Sequence, residues 1–123
     1  MKRYLKIQNR QQRIEQPARV QYCASFLCRL RGFTFRRSIE PDEGLLLVQS
    51  QDSRLDTAIH MLFVPFQLAV IWIDTSLTVV DKVLARPWRL AYLPARPARY
   101  ILEVHPDRLG EYRIEDTVEF QHE

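Results

Sequence analysis

Three histidines, two cysteines and a run of arginines broken by prolines are the residues here whose types could carry chemistry. Zinc sites draw on Cys and His at short, repeated spacings. Cys23 and Cys28 stand five apart, outside those spacings, and His60, His105 and His122 are scattered. The reading is therefore no metal, with both cysteines reduced, unligated and packed as small apolar side chains. Nucleophilic catalysis would need an activated Ser or Cys, yet no G-x-S-x-G elbow is present and Cys23-Ala24-Ser25 has no base beside it. Gly32, Gly44 and Gly110 are isolated, so no glycine-rich loop can cradle a phosphate. No cofactor is implied.

Two features survive. His60 is a polar ring inside the apolar run 58–63, and alternation puts it on the opposite face from Ile59 and Met61. Such a ring is either satisfied by the backbone or free to hold a proton near neutral pH. The second feature is 84–99, with Arg86, Arg89, Arg96 and Arg99, no acid, Trp88, Tyr92 and prolines at 87, 94 and 97. Guanidinium planes and aromatic faces on a stiff loop suit an anionic or aromatic ligand. Equally, they suit a covering loop whose arginines pair elsewhere. A loop with three prolines cannot pair as a central strand, so it is expected to cross an open barrel end. There His60, Arg86, Trp88, Arg89, Tyr92 and Arg99 form the candidate pocket.

The elements that must position these residues read mainly as strands. Period-two alternation marks 4–8, 14–24 and 99–104, the apolar runs 45–48, 68–73 and 78–83 read as strands too, and 117–120 closes with one more. Asp74-Thr75-Ser76-Leu77 joins two of them as a hairpin, 49–56 is a polar loop, and 106–110 makes one helical turn. Val20, Cys23, Leu27 and Leu30 also fit helical spacing. Ser25 as N-cap and Gly32 past the end nevertheless favour a strand followed by a short helix, Phe26 to Arg31. Short strands with so little helix indicate a small, partly open barrel or sandwich, mainly β with one short helix.

A length of 123 residues, 46% apolar and 27% charged, predicts one globular domain over 1–123 and excludes wholesale disorder. The most apolar run, 58–73, contains His60, Pro65 and Gln67, which is too short and interrupted for a membrane span. With unpaired cysteines and no secretory pattern near the start, the expectation is a cytoplasmic protein. Charge is split: residues 1–37 carry ten Lys or Arg against one acid, and 38–123 carry eight against fourteen. The expected outcome is neutralisation by contact, with Arg29, Arg31, Arg36 and Arg37 meeting later carboxylates such as Glu103 or Asp81. No recognised nucleic-acid motif accompanies the basic third, which argues against nucleic acid as partner.

Six blocks in order also carry a resemblance. Residues 25–33, with Arg29-Leu30-Arg31-Gly32-Phe33, are similar to the "RxRGL" opening of the domain of unknown function 192 family, also called uncharacterised protein family 0127. Glu43-Gly44-Leu45, Ile59-His60-Met61-Leu62-Phe63 and Val70-Ile71-Trp72-Ile73-Asp74 resemble its next three blocks. Pro87-Trp88-Arg89 resembles its "PWR" loop, and Tyr100-Ile101-Leu102-Glu103 its "vLEL" strand, with Asp116 where a closing "GD" falls. Three positions depart: Ala69 stands where the family often has an aspartate, Met61 replaces a threonine, and Glu115 replaces the glycine before Asp116. If that aspartate is catalytic in relatives, this chain lacks the activity. The resemblance implies a compact, mainly β prokaryotic protein with a short helix, and no assigned activity.

The functional expectation is a non-catalytic module binding an unknown small ligand or protein partner. One alternative is a hydrolase using His60 as base with Arg86 or Arg89 holding an anion. The other is contact with an anionic surface or nucleic acid through the basic N-terminal third.

Overall fold

The computed structural model describes residues 2–123. Along the chain lie β1 (Arg3–Asn9), β2 (Arg19–Cys23), α1 (Phe26–Arg31), β3 (Glu43–Ser53), β4 (Leu68–Ile73), β5 (Val79–Ala85), β6 (Ala98–Val104) and β7 (Val118–His122). A 3₁₀ turn, Pro106–Glu111, precedes β7. The strands form one sheet in the order β5-β4-β6-β3-β2-β1-β7. Among the described residues only β2 and β3 run parallel, and the other pairs are antiparallel. The two outer strands curl toward each other until Thr78 bridges Thr117. There Val79 N–H donates to the Asp116 carbonyl and Val118 N–H to that of Leu77, both at 2.8 Å. The result is a half-barrel, the partly open, mainly β architecture that the alternation predicts.

Strand β4 shows how the sheet is built. All six of its side chains are buried, a pattern that needs cover on both faces. Ala69, Ile71 and Ile73 point into the curl with Leu5, Ile7, Leu46, Leu102 and Val118. Leu68, Val70 and Trp72 point outward, where Phe33, Ile39, Ile59, Met61 and Val64 lie over them. The Trp72 indole N–H donates to the Thr57 carbonyl at 2.7 Å, so this large ring is buried without an orphaned donor.

Polar residues fix the chain at the barrel rim. Gln8 replaces strand pairing for the following loop by donating to the Ile14 carbonyl and accepting from Ile14 N–H. Pro17 therefore lies ahead of β2, and the expected strand 14–24 shrinks to its last part. Asn9 donates to Asp116 Oδ2 at 2.7 Å and to the Glu111 carbonyl at 2.9 Å, which ties β1 to the approach of β7. Glu115 has a φ of 79°, a left-handed conformation that favours glycine, the residue the resemblance expects there. Strand β3 continues to Ser53, past the expected loop start at 49, but its register shifts after Val48 and residues 50–52 are exposed.

The local signals at α1 appear as predicted. Ser25 Oγ accepts from Cys28 N–H at 3.2 Å, and Gly32 ends the helix with φ 49° and an N–H to the Cys28 carbonyl. The same geometry overturns the expectation of free thiols. The capped turn folds the helix start back over the end of β2, bringing the Cα atoms of Cys23 and Cys28 to 5.6 Å, and the sulfurs form a disulfide. The premise of free cysteines, one basis of the cytoplasmic expectation, is thereby removed. Among the described residues no helix is long and apolar enough to cross a membrane.

The loop 86–97 also departs from expectation. It lies along residues 59–61 on the outer face of the sheet, rather than across a barrel end. Ile59 bridges Tyr92, Met61 N–H donates to the Arg89 carbonyl, and Trp88 N–H donates to that of Met61. The apolar outer face needs this cover, and the prolines hold the loop in a shape that provides it.

Two stability outcomes follow from this packing. A Cβ at Gly44 would sit 2.8 Å from the Glu103 carbonyl and from methyls of Val20 and Val104. Gly44→Ala should cost about 2 kcal/mol or more in chemical denaturation, as overpacking between fixed strands does. Cys28→Ser should lower stability by about 2 kcal/mol through the short loop it reopens. A reductant should reproduce that loss in the wild type and add nothing to the variant.

Candidate functional site

Between α1 and the outer face of the sheet lies a cavity of about 90 Å³. Its floor is Leu47 of β3 with Ile101 and Glu103 of β6, and its walls are Arg29 to Thr34 on one side and Asp56 to Met61 on the other. Each wall exists for a local reason. Gly32 turns the chain sharply after the helix, and the bridge between Ile59 and Tyr92 holds the second wall in place. Because Ile59 and Met61 turn inward, His60 turns outward at the cavity edge. Its Nδ1 accepts from Leu62 N–H at 3.2 Å.

Glu103 is the chemically unusual member. It alternates with Ile101 on one face of a strand whose other residues are nearly all apolar. Only 5% of it is exposed, yet its carboxylate accepts no hydrogen bond from any described residue. Among the described residues no wholly buried side-chain polar atom lacks a partner, so the unpaired oxygens of Glu103 keep a little exposure, and the residue lines the cavity. Gly32 lies close by, where an added Cβ would stand 3.8 Å from Oε1. Burial raises the Glu103 carboxyl from 4.5 to about 7.

The neighbouring arginines leave that carboxylate alone. Arg29 donates to the Val48 carbonyl at 3.0 Å. Of the four arginines expected to meet later acids, only Arg36 does, pairing with Glu43 at 2.6 Å. Neither Glu103 nor Asp81 receives one. Glu103 lies too deep beneath Gly32, and Asp81 accepts the backbone N–H groups of Lys82 and Ala95. Neutralisation by contact does occur at the other end of the basic segment, where Arg19 pairs with Glu123 at 2.7 Å and Arg10 lies 3.8 Å from Glu119.

The structure separates the six residues singled out from sequence. His60 lines the cavity, whereas Arg86, Trp88, Arg89, Tyr92 and Arg99 do not. Tyr92 holds the loop by accepting Arg86 N–H on its hydroxyl at 2.9 Å, with the Arg89 guanidinium 5.4 Å from its ring. Arg99 reaches the carbonyl of Gln49, a cavity residue, at 2.8 Å. Trp88 packs edge-on against Phe63. Glu103 was the residue that pattern reading passed over. Its signal was a lone acid in the apolar run Tyr100-Ile101-Leu102-Glu103-Val104. Among the described residues no group of three His, Cys, Asp or Glu side chains could hold a metal ion.

The protein is thus a small, mainly β half-barrel with a short helix lying near one buried acid. The chain belongs to the DUF192 family ("Uncharacterized ACR"), which it matches over residues 6–122. It is 36% identical over 85 residues to the UPF0127 protein of Thermococcus kodakarensis, covering 69% of this chain and 52% of that one. It is 34% identical to the UPF0127 protein of Pyrococcus furiosus, over 68% of this chain and 69% of the relative. The match thus spans about half the length of the Thermococcus protein. Among crystal structures, a "putative transcription regulator" from Sinorhizobium meliloti is similar with a TM-score of 0.80 at 20% identity, covering 98% of this chain and 94% of that one. A protein of unknown function from Novosphingobium aromaticivorans is similar with a TM-score of 0.73 at 17% identity, covering 94% and 83%. These likenesses establish the fold. Ala69, where the resemblance implies an aspartate, is wholly buried inside the curl and faces away from the Glu103 cavity.

The Glu103 shift has a consequence for stability. Between about pH 4.5 and 7 the folded chain holds a proton that the unfolded chain releases. Stability should therefore fall as pH rises through that window, by about 3 kcal/mol, and level off above it. Glu103→Gln should abolish this decline and be the more stable form above neutrality, as pH-dependent denaturation would record.

Proposed function

We propose that the protein is a non-catalytic binding module whose cavity takes a small ligand presenting an N–H donor, such as a primary amine, amidine or amide, to Glu103. One observation carries the reading: a carboxylate almost removed from water, without a protein partner, opens onto a cavity. An unpaired buried acid is costly, and a ligand donor would offset that cost where no protein group does. His60 at the cavity edge offers a second polar contact. The volume suits one small polar group, or the end of a longer molecule.

The same carboxyl, poised near neutrality, also suits general acid–base chemistry. That alternative no longer uses Arg86 or Arg89 as anion holders, since neither lines the cavity. Contact through the basic N-terminal third has less support. Arg10, Arg19 and Arg36 already meet carboxylates there.

The test is a thermal-shift screen of small amines, amidines and amides above neutral pH, on wild type and Glu103→Gln. At least one class should raise the melting temperature of the wild type and lose most of that effect in the variant. Equal shifts in both proteins, or no shift with any class, would remove Glu103 as the anchoring group.

A further inference from the structure

Three aromatic residues outside the cavity share an uncommon backbone. Phe35, Phe63 and Trp88 have φ values of 66°, 60° and 66°, a region that bulky side chains rarely adopt. Their backbones are held there: Phe35 N–H donates to the Phe63 carbonyl at 2.8 Å, and Trp88 N–H to the Met61 carbonyl at 2.9 Å. The outcome is a continuous ring ladder, with Phe35 stacked on Phe63 at 5.0 Å and Trp88 edge-on to Phe63 at 5.3 Å. Strained backbone that buries its aromatic residues would be a packing solution. Here it holds them in solvent, with Phe35 78% and Trp88 54% exposed. Leu90, beside Trp88 in the same loop, is 76% exposed.

The charge within the two segments that supply Phe35 and Trp88 has one sign. Segments 26–37 and 84–99, which supply Phe35 and Trp88, hold eight arginines and no acid. Four of these are engaged, Arg36 and Arg96 by glutamates and Arg29 and Arg99 by backbone carbonyls. Arg31, Arg37, Arg86 and Arg89 are exposed and meet no carboxylate among the described residues. We propose that the Phe35–Phe63–Trp88 ladder, flanked by Arg86 and Arg89, is a docking surface for a lipid bilayer with anionic headgroups. Aromatic rings and leucine enter the interface while arginines meet the phosphates.

Other occupants fit less well. A second copy in a two-fold dimer would set this arginine rim against itself. Single-stranded nucleic acid uses open ring faces, but here Phe63 has one neighbour stacked on it and another edge-on, and Leu90 offers no stacking. The proposal is independent of the Glu103 cavity.

The experiment is co-sedimentation of the full chain with phosphatidylglycerol-containing vesicles and with pure phosphatidylcholine vesicles, at low salt, with tryptophan emission as second readout. Trp72 is wholly buried, so an emission change reports Trp88. Expected are binding to the anionic vesicles only, a blue shift, and release by salt. Arg86→Gln with Arg89→Gln should weaken partition roughly twenty-five-fold, from about a factor of five per surface arginine. Phe35→Asn, which suits the left-handed backbone, should weaken it without lowering the melting temperature. No binding to anionic vesicles, or binding that both variants leave unchanged, would overturn the proposal. So would a single-stranded oligonucleotide that shifts Trp88 emission where vesicles do not, or a dimer broken by Phe35→Asn.

Discussion

Burial of β4 on both faces is the constraint on which the rest of the molecule depends. Six consecutive apolar side chains cannot be satisfied by a sheet with one wet face. One set is sheltered by curling, which brings strands from opposite ends of the sheet over the same interior. The other set cannot be sheltered that way, because it lies on the convex side. It is covered instead by irregular chain, from Phe33 through Ile39 and from Ile59 through Val64. Loops that serve as a lid on a core must satisfy their own backbone groups. They do so by bonding to one another, as residues 59–61 do with 88–92.

The cavity is where this cover comes apart. Helix α1 buries none of its own side chains and reaches the sheet chiefly through its tether to β2 and the guanidinium of Arg29. Under the gap between the helix and the second covering segment, the sheet presents an acid in place of another apolar residue. The substitution is expensive for folding, since burial without a partner disfavours the ionised form. A protein that retains it holds part of its stability hostage to pH and to occupancy of the gap. That coupling separates Glu103 from the satisfied buried polar residues Gln8, Asn9 and Asp116, which fasten the rim through complete hydrogen bonding.

How far the sequence could be read follows from the range of each interaction. Helix α1 was legible to the residue because Ser25 and Gly32 act within a single turn. Strands 68–73 and 99–104 were legible because their apolar content is dense. The disulfide was not, since spacing alone says nothing of how a capped turn redirects Cβ vectors. The strand expected over 14–24 was cut short by Gln8, a residue from another strand that no local pattern connects to Ile14. Within the candidate site, His60 was visible as a break in an apolar run. Glu103 was equally visible as a break, but it read as a surface charge awaiting an arginine. Its depth depends on Gly32 and on the register of β6 between β3 and β4, both of which are tertiary facts. Trp88 and the loop arginines were grouped with His60 because the loop does lie beside it, but they extend outward while the cavity opens inward.

The placement of β1 has a consequence for assembly in time. It is synthesised before nearly everything it must join, and its two neighbours in the sheet, β2 and β7, lie at nearly opposite ends of the described chain. The bond from Asn9 to Asp116 spans 107 positions. A nascent chain can pair β1 with β2 early, but the second edge of β1 must wait until β7 has left the ribosome. Non-local closure of this kind is slow compared with local pairing. For that interval the waiting edge is a template for any strand that drifts past, including one from a neighbouring nascent chain. Lys6, exposed midway along β1, sets a charge on that edge during the wait.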